Sequence, residues 1–113
     1  MSIVIMLSGS GTNFQAIHDE EMRPGNAGTE IKAVFTNVPG CAGSEKAESA
    51  GIPAVSISSK RFFDTLGRDP DDEEARDFYD AAVISLIEQT CAPEFPDFIV
   101  LAGYRRRPGR LFL

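Results

Sequence analysis

Apolar residues follow two rhythms along this chain. At residues 3–7, Ile3, Val4, Ile5, Met6 and Leu7 run without interruption, the habit of a strand buried on both faces, as in parallel sheets. Residues 30–37, with Ile31, Ala33, Val34 and Phe35, a short run at 54–57 and the segment DFIVLAG at 97–103 read the same way, giving four predicted strands. Between them the apolar spacing changes to three and four. Residues 13 to about 21 carry Phe14, Ala16 and Ile17 toward one side of a predicted helix, which Arg23-Pro24-Gly25 ends. A second, short helix spans 44 to about 50 and is closed by Gly51, while 58–68 read as loop with some helical character. The longest helix starts in the acidic run Pro70-Asp71-Asp72-Glu73-Glu74, which complements a helix dipole, and stops at Cys91-Ala92-Pro93. Phe78, Tyr79, Ala82, Val83, Leu86 and Ile87 mark the face it buries.

Strand-helix alternation with strands of the buried type predicts an α/β fold, a parallel sheet joined by right-handed crossovers. The first connection carries the chemistry. Ser8, Gly9, Ser10 and Gly11 lead from the first strand through Thr12 and Asn13 into the first helix. Glycines let backbone amides approach a ligand, and a helix N-terminus presents free N–H groups to an anion. A dinucleotide fingerprint would need a third small residue where Phe14 stands, and an acidic residue at the end of the second strand, where the sequence reads Phe35-Thr36-Asn37. A P-loop would need a lysine that is not near. A phosphate monoester fits better; the alternative is a tight turn that merely favours glycine. Ligands of such sheets collect at the carboxyl ends of the strands, and there the loop after strand four, Tyr104-Arg105-Arg106-Arg107-Pro108, offers arginines for an anionic substrate or a solvated basic tail.

At 113 residues the chain is predicted to form one domain, with 42% apolar and 25% charged residues. A formal net charge of −6 argues against nucleic acid as the main partner. Cys41 and Cys91 suggest neither a disulfide framework nor a metal site, nothing near Cys41 in sequence marks it as reactive, and no apolar run is long enough to cross a membrane. The expected setting is the cytoplasm. The acids at 69–74 read as a helix start rather than a metal loop, because divalent-ion loops space their ligands around a glycine turn. Ser8 and Ser10 have no histidine or lysine near in sequence to activate them, and His18 reads as a surface helical residue.

The segments IVIMLSGSGTNFQAI, AVFTNVPGCAGSEKAESAGIP and PDFIVLAGY resemble, in order and spacing, the first half of the glycinamide ribonucleotide formyltransferases of purine biosynthesis. The resemblance covers nearly the whole chain. It implies a Rossmann-like sheet with strand order 3-2-1-4 and transfer of a formyl group from 10-formyltetrahydrofolate to the amine of glycinamide ribonucleotide, without a metal. By resemblance, Gly11, Thr12 and Asn13 would contact the substrate phosphate, and Arg76 with Arg105, Arg106, Arg107 and Pro108 would lie on the folate.

The match departs from the family in two places. Members usually follow the counterpart of Arg106 with two aliphatic residues that wall the pterin; here Arg107 and Pro108 stand there. Members also continue into a strand with an Asn-x-His-Pro motif and a later aspartate, and none of these catalytic groups occurs in the 113 residues, whose single histidine is His18. The expectation is therefore a domain truncated before a fifth strand, with no catalytic residue of its own, inactive alone and prone to self-association through strand 97–102. A change of reading frame after Tyr104 would account for the abrupt end of the family pattern. Two other readings stand beside this one: a non-catalytic module for a phosphorylated ligand, and an interaction fragment that assembles through its open sheet edge.

Overall fold

The computed structural model describes residues 1–25, 28–106, 109 and 112. Its elements are β1 (Ser2–Leu7), α1 (Thr12–Glu21), β2 (Glu30–Thr36), α2 (Ala42–Ser49), β3 (Ala54–Ser56), α3 (Ser59–Leu66), α4 (Glu73–Cys91) and β4 (Phe98–Leu101). The strands pair in parallel in the order β3-β2-β1-β4. This is the four-stranded Rossmann-like arrangement expected, with β1 in the middle. Val4, Ile5 and Met6 are fully buried there, which is why that segment is apolar at every position.

Helices cover both faces. On one, Val4, Met6, Ala33 and Phe35 meet Phe63 of α3 and Ala75, Tyr79, Val83 and Ile87 of α4. On the other, Ile3, Ile5, Leu7 and Val34 meet Phe14 of α1 and Ala47 of α2. A register shift makes this division work. Ile3 pairs with Ile31 but Val4 pairs with Ala33, so Lys32 is passed over as a bulge. The extra residue flips the alternation of β2, sending Ile31 to the α1 and α2 face and Ala33 to the α4 face.

Three local expectations change. Residues 58–68, read as loop with helical character, hold a regular helix, α3: the Ser58 hydroxyl accepts from the Arg61 amide at 3.1 Å, and Gly67 closes the helix at φ 66°. Ala16 is exposed on α1, where Phe14 is the buried residue. On α4 the buried stripe advances in steps of four from Ala75 through Tyr79, Val83 and Ile87 to Cys91 and takes in Asp80, whereas Phe78 is 51% exposed. The outer edge of β4 pairs with no strand among the described residues. Phe98 and Leu101 are each more than half exposed there. They line a cavity of about 450 Å³ with Phe95, Pro96, Asp97, Ile99 and Phe112.

Candidate phosphate-binding site

The loop between β1 and α1 is held at three points. Its first residue, Ser8, is buried; its hydroxyl donates to Asn37 Oδ1 at 2.5 Å and accepts from the Arg105 amide at 2.9 Å. Asn37 in turn donates to Ser59 Oγ at 3.1 Å. One buried hydroxyl thus joins the carboxyl ends of β1, β2 and β4 and, through Asn37, the start of α3. No motif in the sequence marks this junction. Its only trace was a polar pair, Ser8 and Asn37, each directly after a strand of apolar type. The Ser8 hydroxyl thus both donates and accepts within the fold.

The second point is the contact between Gly11 and Gly43. Gly11 caps α1 with φ 77°, and a methyl group on it would fall 2.5 Å from Gly43 Cα. The Gly43 amide donates to the Gly9 carbonyl at 2.9 Å, so the loop backbone serves the N-terminus of α2. At the third point the Ser8 amide donates to the Gly103 carbonyl at 3.2 Å, which fixes the loop against the turn after β4.

What this leaves open is the N-terminus of α1. The side chains of Ser58 and Asp72 cap α3 and α4, whereas among the described residues no side chain caps α1 or α2, and α1, unlike α2, has no acid in its first turn. The first-turn N–H groups and the positive end of the helix dipole are available to an outside acceptor. They face a cleft of about 290 Å³ lined by Gly9, Ser10, Gly11, Thr12, Asn13 and, across from them, Ala102, Gly103, Tyr104 and Arg105. Ser10 and Thr12 hydroxyls lie 3.0 Å apart on its rim.

The arginines divide. Arg105 stays with the glycine loop, its guanidinium 3.6 Å from where a Gly9 methyl would sit. Arg106 turns to the other face of the sheet and stacks over Phe63 at 4.7 Å and Tyr79 at 4.9 Å, with its Nε buried and without a hydrogen-bond partner among the described residues. Arg76, on the first turn of α4, belongs to the Arg106 side: both bear on the buried carboxylate of Asp80, which accepts from the Gly109 amide at 2.8 Å. Burial pushes the Asp80 carboxyl up, against the Gly109 hydrogen bond and the charges of Arg106 and Arg76. Burial likewise raises Tyr104 to about 12, and pushes Tyr79 further, its hydroxyl donating to the Ile57 carbonyl at 2.6 Å. The structure thus brings Gly11, Thr12, Asn13 and Arg105 to one cleft and places Arg76 and Arg106 beyond the sheet from it. Arg107 and Pro108 lie outside the described residues.

The remaining candidates have structural partners. Arg68 pairs with Asp72 at 2.8 Å and Glu74 at 2.6 Å, and Asp72 accepts from the Ala75 amide at 2.9 Å, so the acidic run is a helix start. His18 is partly buried with its ring 5.8 Å from that of Phe14. Cys41 corrects the sequence reading: burial pushes its thiol up, yet hydrogen bonds with Thr36 and Ser44 prevail and hold it below the ordinary value. No helix among the described residues is long and apolar enough to cross a membrane.

Known proteins share this arrangement. The family model described as formyl transferase matches residues 1–109. Phosphoribosylglycinamide formyltransferase of Escherichia coli (strain K12) is 34% identical over 106 residues, 94% of this chain and 42% of its own. The human trifunctional purine biosynthetic protein adenosine-3 is 31% identical over 104 residues, 92% of this chain and 9% of its own. Among solved structures, phosphoribosylglycinamide formyltransferase from Coxiella burnetii superposes with a TM-score of 0.76 at 30% identity, covering 99% of this chain and 45% of that one. This chain spans less than half the length of each of these relatives.

Proposed function

The chain belongs to the formyl transferase family, and on that premise we propose that residues 1–113 are the nucleotide-binding domain of a cytoplasmic phosphoribosylglycinamide formyltransferase of purine biosynthesis. The observation that carries the proposal is the uncapped N-terminus of α1 facing a cleft lined by Gly9 to Asn13 and Arg105. In this reading the backbone amides of Gly11, Thr12 and Asn13, together with the side-chain amide of Asn13, take the phosphate of glycinamide ribonucleotide, because an oxyanion at a helix N-terminus replaces water as the acceptor of its free donors.

The folate co-substrate, 10-formyltetrahydrofolate, is proposed to lie along the segment after β4, against Arg106 with Arg107 and Pro108, and toward Arg76. Arg105 stands between the two substrates. No residue of the 113 is assigned proton transfer. Attack of the glycinamide amine on the formyl carbon needs a group to accept the amine proton and another to stabilise the tetrahedral oxyanion, and the resemblance assigns both to residues beyond its Leu-Ala-Gly-Tyr strand. We propose that these 113 residues bind without turning over.

Titration with glycinamide ribonucleotide by calorimetry tests this. Binding that Asn13→Ala weakens supports the phosphate site, and a folded sample that takes up no ligand refutes it. One observation favours a second reading, in which the domain associates through its sheet edge: Phe98 and Leu101 lie open on β4 beside the 450 Å³ cavity. A concentration-dependent oligomer that Phe98→Lys dissolves would support that reading, and a monomer at all concentrations would end it.

A further inference from the structure

Two cations reach the glycine loop from opposite flanks. The strand order puts β2 and β4 on either side of β1, so the loop after β1 is flanked by α2 and by the turn after β4. From the β4 side comes Arg105, exposed, its guanidinium 3.6 Å from the methyl position of Gly9. From the β2 side comes Lys46 of α2, also exposed, its Cδ 3.5 Å from the methyl position of Gly11. The lysine stem therefore runs along bare Gly11 backbone at the flank of the loop, outside the residues that line the cleft itself. The close packing of Gly43 on Gly11 is what brings α2 near enough for this.

We propose that Lys46 and Arg105 form a two-cation clamp that makes the cleft selective for a dianionic phosphate monoester over a monoanionic ester of the same shape. The proposal rests on the phosphate-site reading above. A phosphate monoester carries about −1.5 to −2 charges at pH 7, and a helix N-terminus offers only about half a positive charge against it. In a chain of net charge −6, cations placed at the loop itself would supply the rest of the compensation. The pair suits the task chemically: a guanidinium gives a planar fork to two oxygens and an ammonium a compact point charge to the third.

The test is calorimetric titration of the 113-residue chain, at low salt, with glycinamide ribonucleotide and with the analogue in which a sulfate ester replaces the phosphate. Wild-type protein is expected to prefer the phosphate by about tenfold. Lys46→Met, which keeps the stem, and Arg105→Met should each cut phosphate affinity by about five- to tenfold while moving sulfate affinity much less. Lys46→Arg should restore the preference. Equal wild-type affinity for the two esters, or a preference that Lys46→Met leaves unchanged, would overturn the clamp with the phosphate site intact. Failure of folded wild-type protein to bind either compound would overturn the phosphate site and the clamp together.

Discussion

Substituting alanine at Gly11 perturbs the closest backbone approach beside the cleft, and two further glycines separate the causes of the damage. Gly11 and Gly40 share φ 77°, but an added methyl meets Gly43 Cα at 2.5 Å in the first case and nothing within 4 Å in the second. Gly43 has no positive φ, and its added methyl would meet Leu7 Cδ1 at 2.7 Å, the Gly9 carbonyl at 3.0 Å and Gly11 Cα at 3.1 Å. A left-handed conformation costs an L-residue about 1–2 kcal/mol, partly offset by about 0.4–1 kcal/mol because alanine stiffens the unfolded chain. Gly40→Ala should therefore destabilise by about 0–1.6 kcal/mol. Overpacking against backbone adds about 1–3 kcal/mol, so Gly11→Ala should lose about 1–4.6 kcal/mol. Gly43→Ala carries the packing cost without a left-handed penalty, less the same offset of about 0.4–1 kcal/mol. These losses are large against a domain stability of about 5–15 kcal/mol. Urea unfolding followed by far-ultraviolet circular dichroism measures all three. Equal losses at Gly11 and Gly40 would refute the claim that the loop and α2 are packed backbone on backbone, and the description of the cleft would fall with it.

Three further outcomes follow from particular groups. Because burial raises the Asp80 carboxyl above its ordinary value of 3.8, the folded state holds that proton more tightly than the unfolded one. The Asp80 contribution to stability is then greatest below 3.8 and lost as pH rises through the folded value. Asp80→Asn should abolish that decline in urea midpoints measured at successive pH values from 4 upward, and an unchanged profile would refute it. Tyr79→Phe removes a 2.6 Å hydrogen bond and leaves the Ile57 carbonyl without its donor; a loss of about 1–2 kcal/mol in the same assay is expected, and no loss would contradict the bond. Phe98→Lys should lower sedimentation-measured association if β4 pairs with other chains, and unchanged association would exclude that edge.

The parallel sheet was legible because β1 is apolar at every position from Ile3 to Leu7 and β2 from Ala33 to Phe35, the pattern of strands covered on both faces. The order of the strands was not legible in that pattern and came from family resemblance. α3 was hidden because two adjacent aromatic residues, Phe62 and Phe63, blur its helical spacing, although Ser58 and Gly67 mark its ends. The tilt of α4 was hidden for a different reason. A carboxylate is expected outside and a phenyl ring inside, but Asp80 is satisfied by the Gly109 amide and nearby guanidinium groups and so is buried, while Phe78 is left half exposed. The bulge at Lys32 cannot be read from composition, since it appears only when β2 pairs with β1. At the site, the glycine loop was readable by residue type. The separation of Arg105 from Arg106 was not, because both lie in the turn after β4, where no periodicity sets which way a side chain faces.

The central claim is that the amides opening α1 hold a phosphate. Amide shifts in a nitrogen-15 spectrum recorded as glycinamide ribonucleotide is added test it most directly. The account predicts that Gly11, Thr12 and Asn13 move first and furthest, with Arg105 following across the cleft. Shifts confined to the open edge of β4, or none in a folded sample, would contradict it.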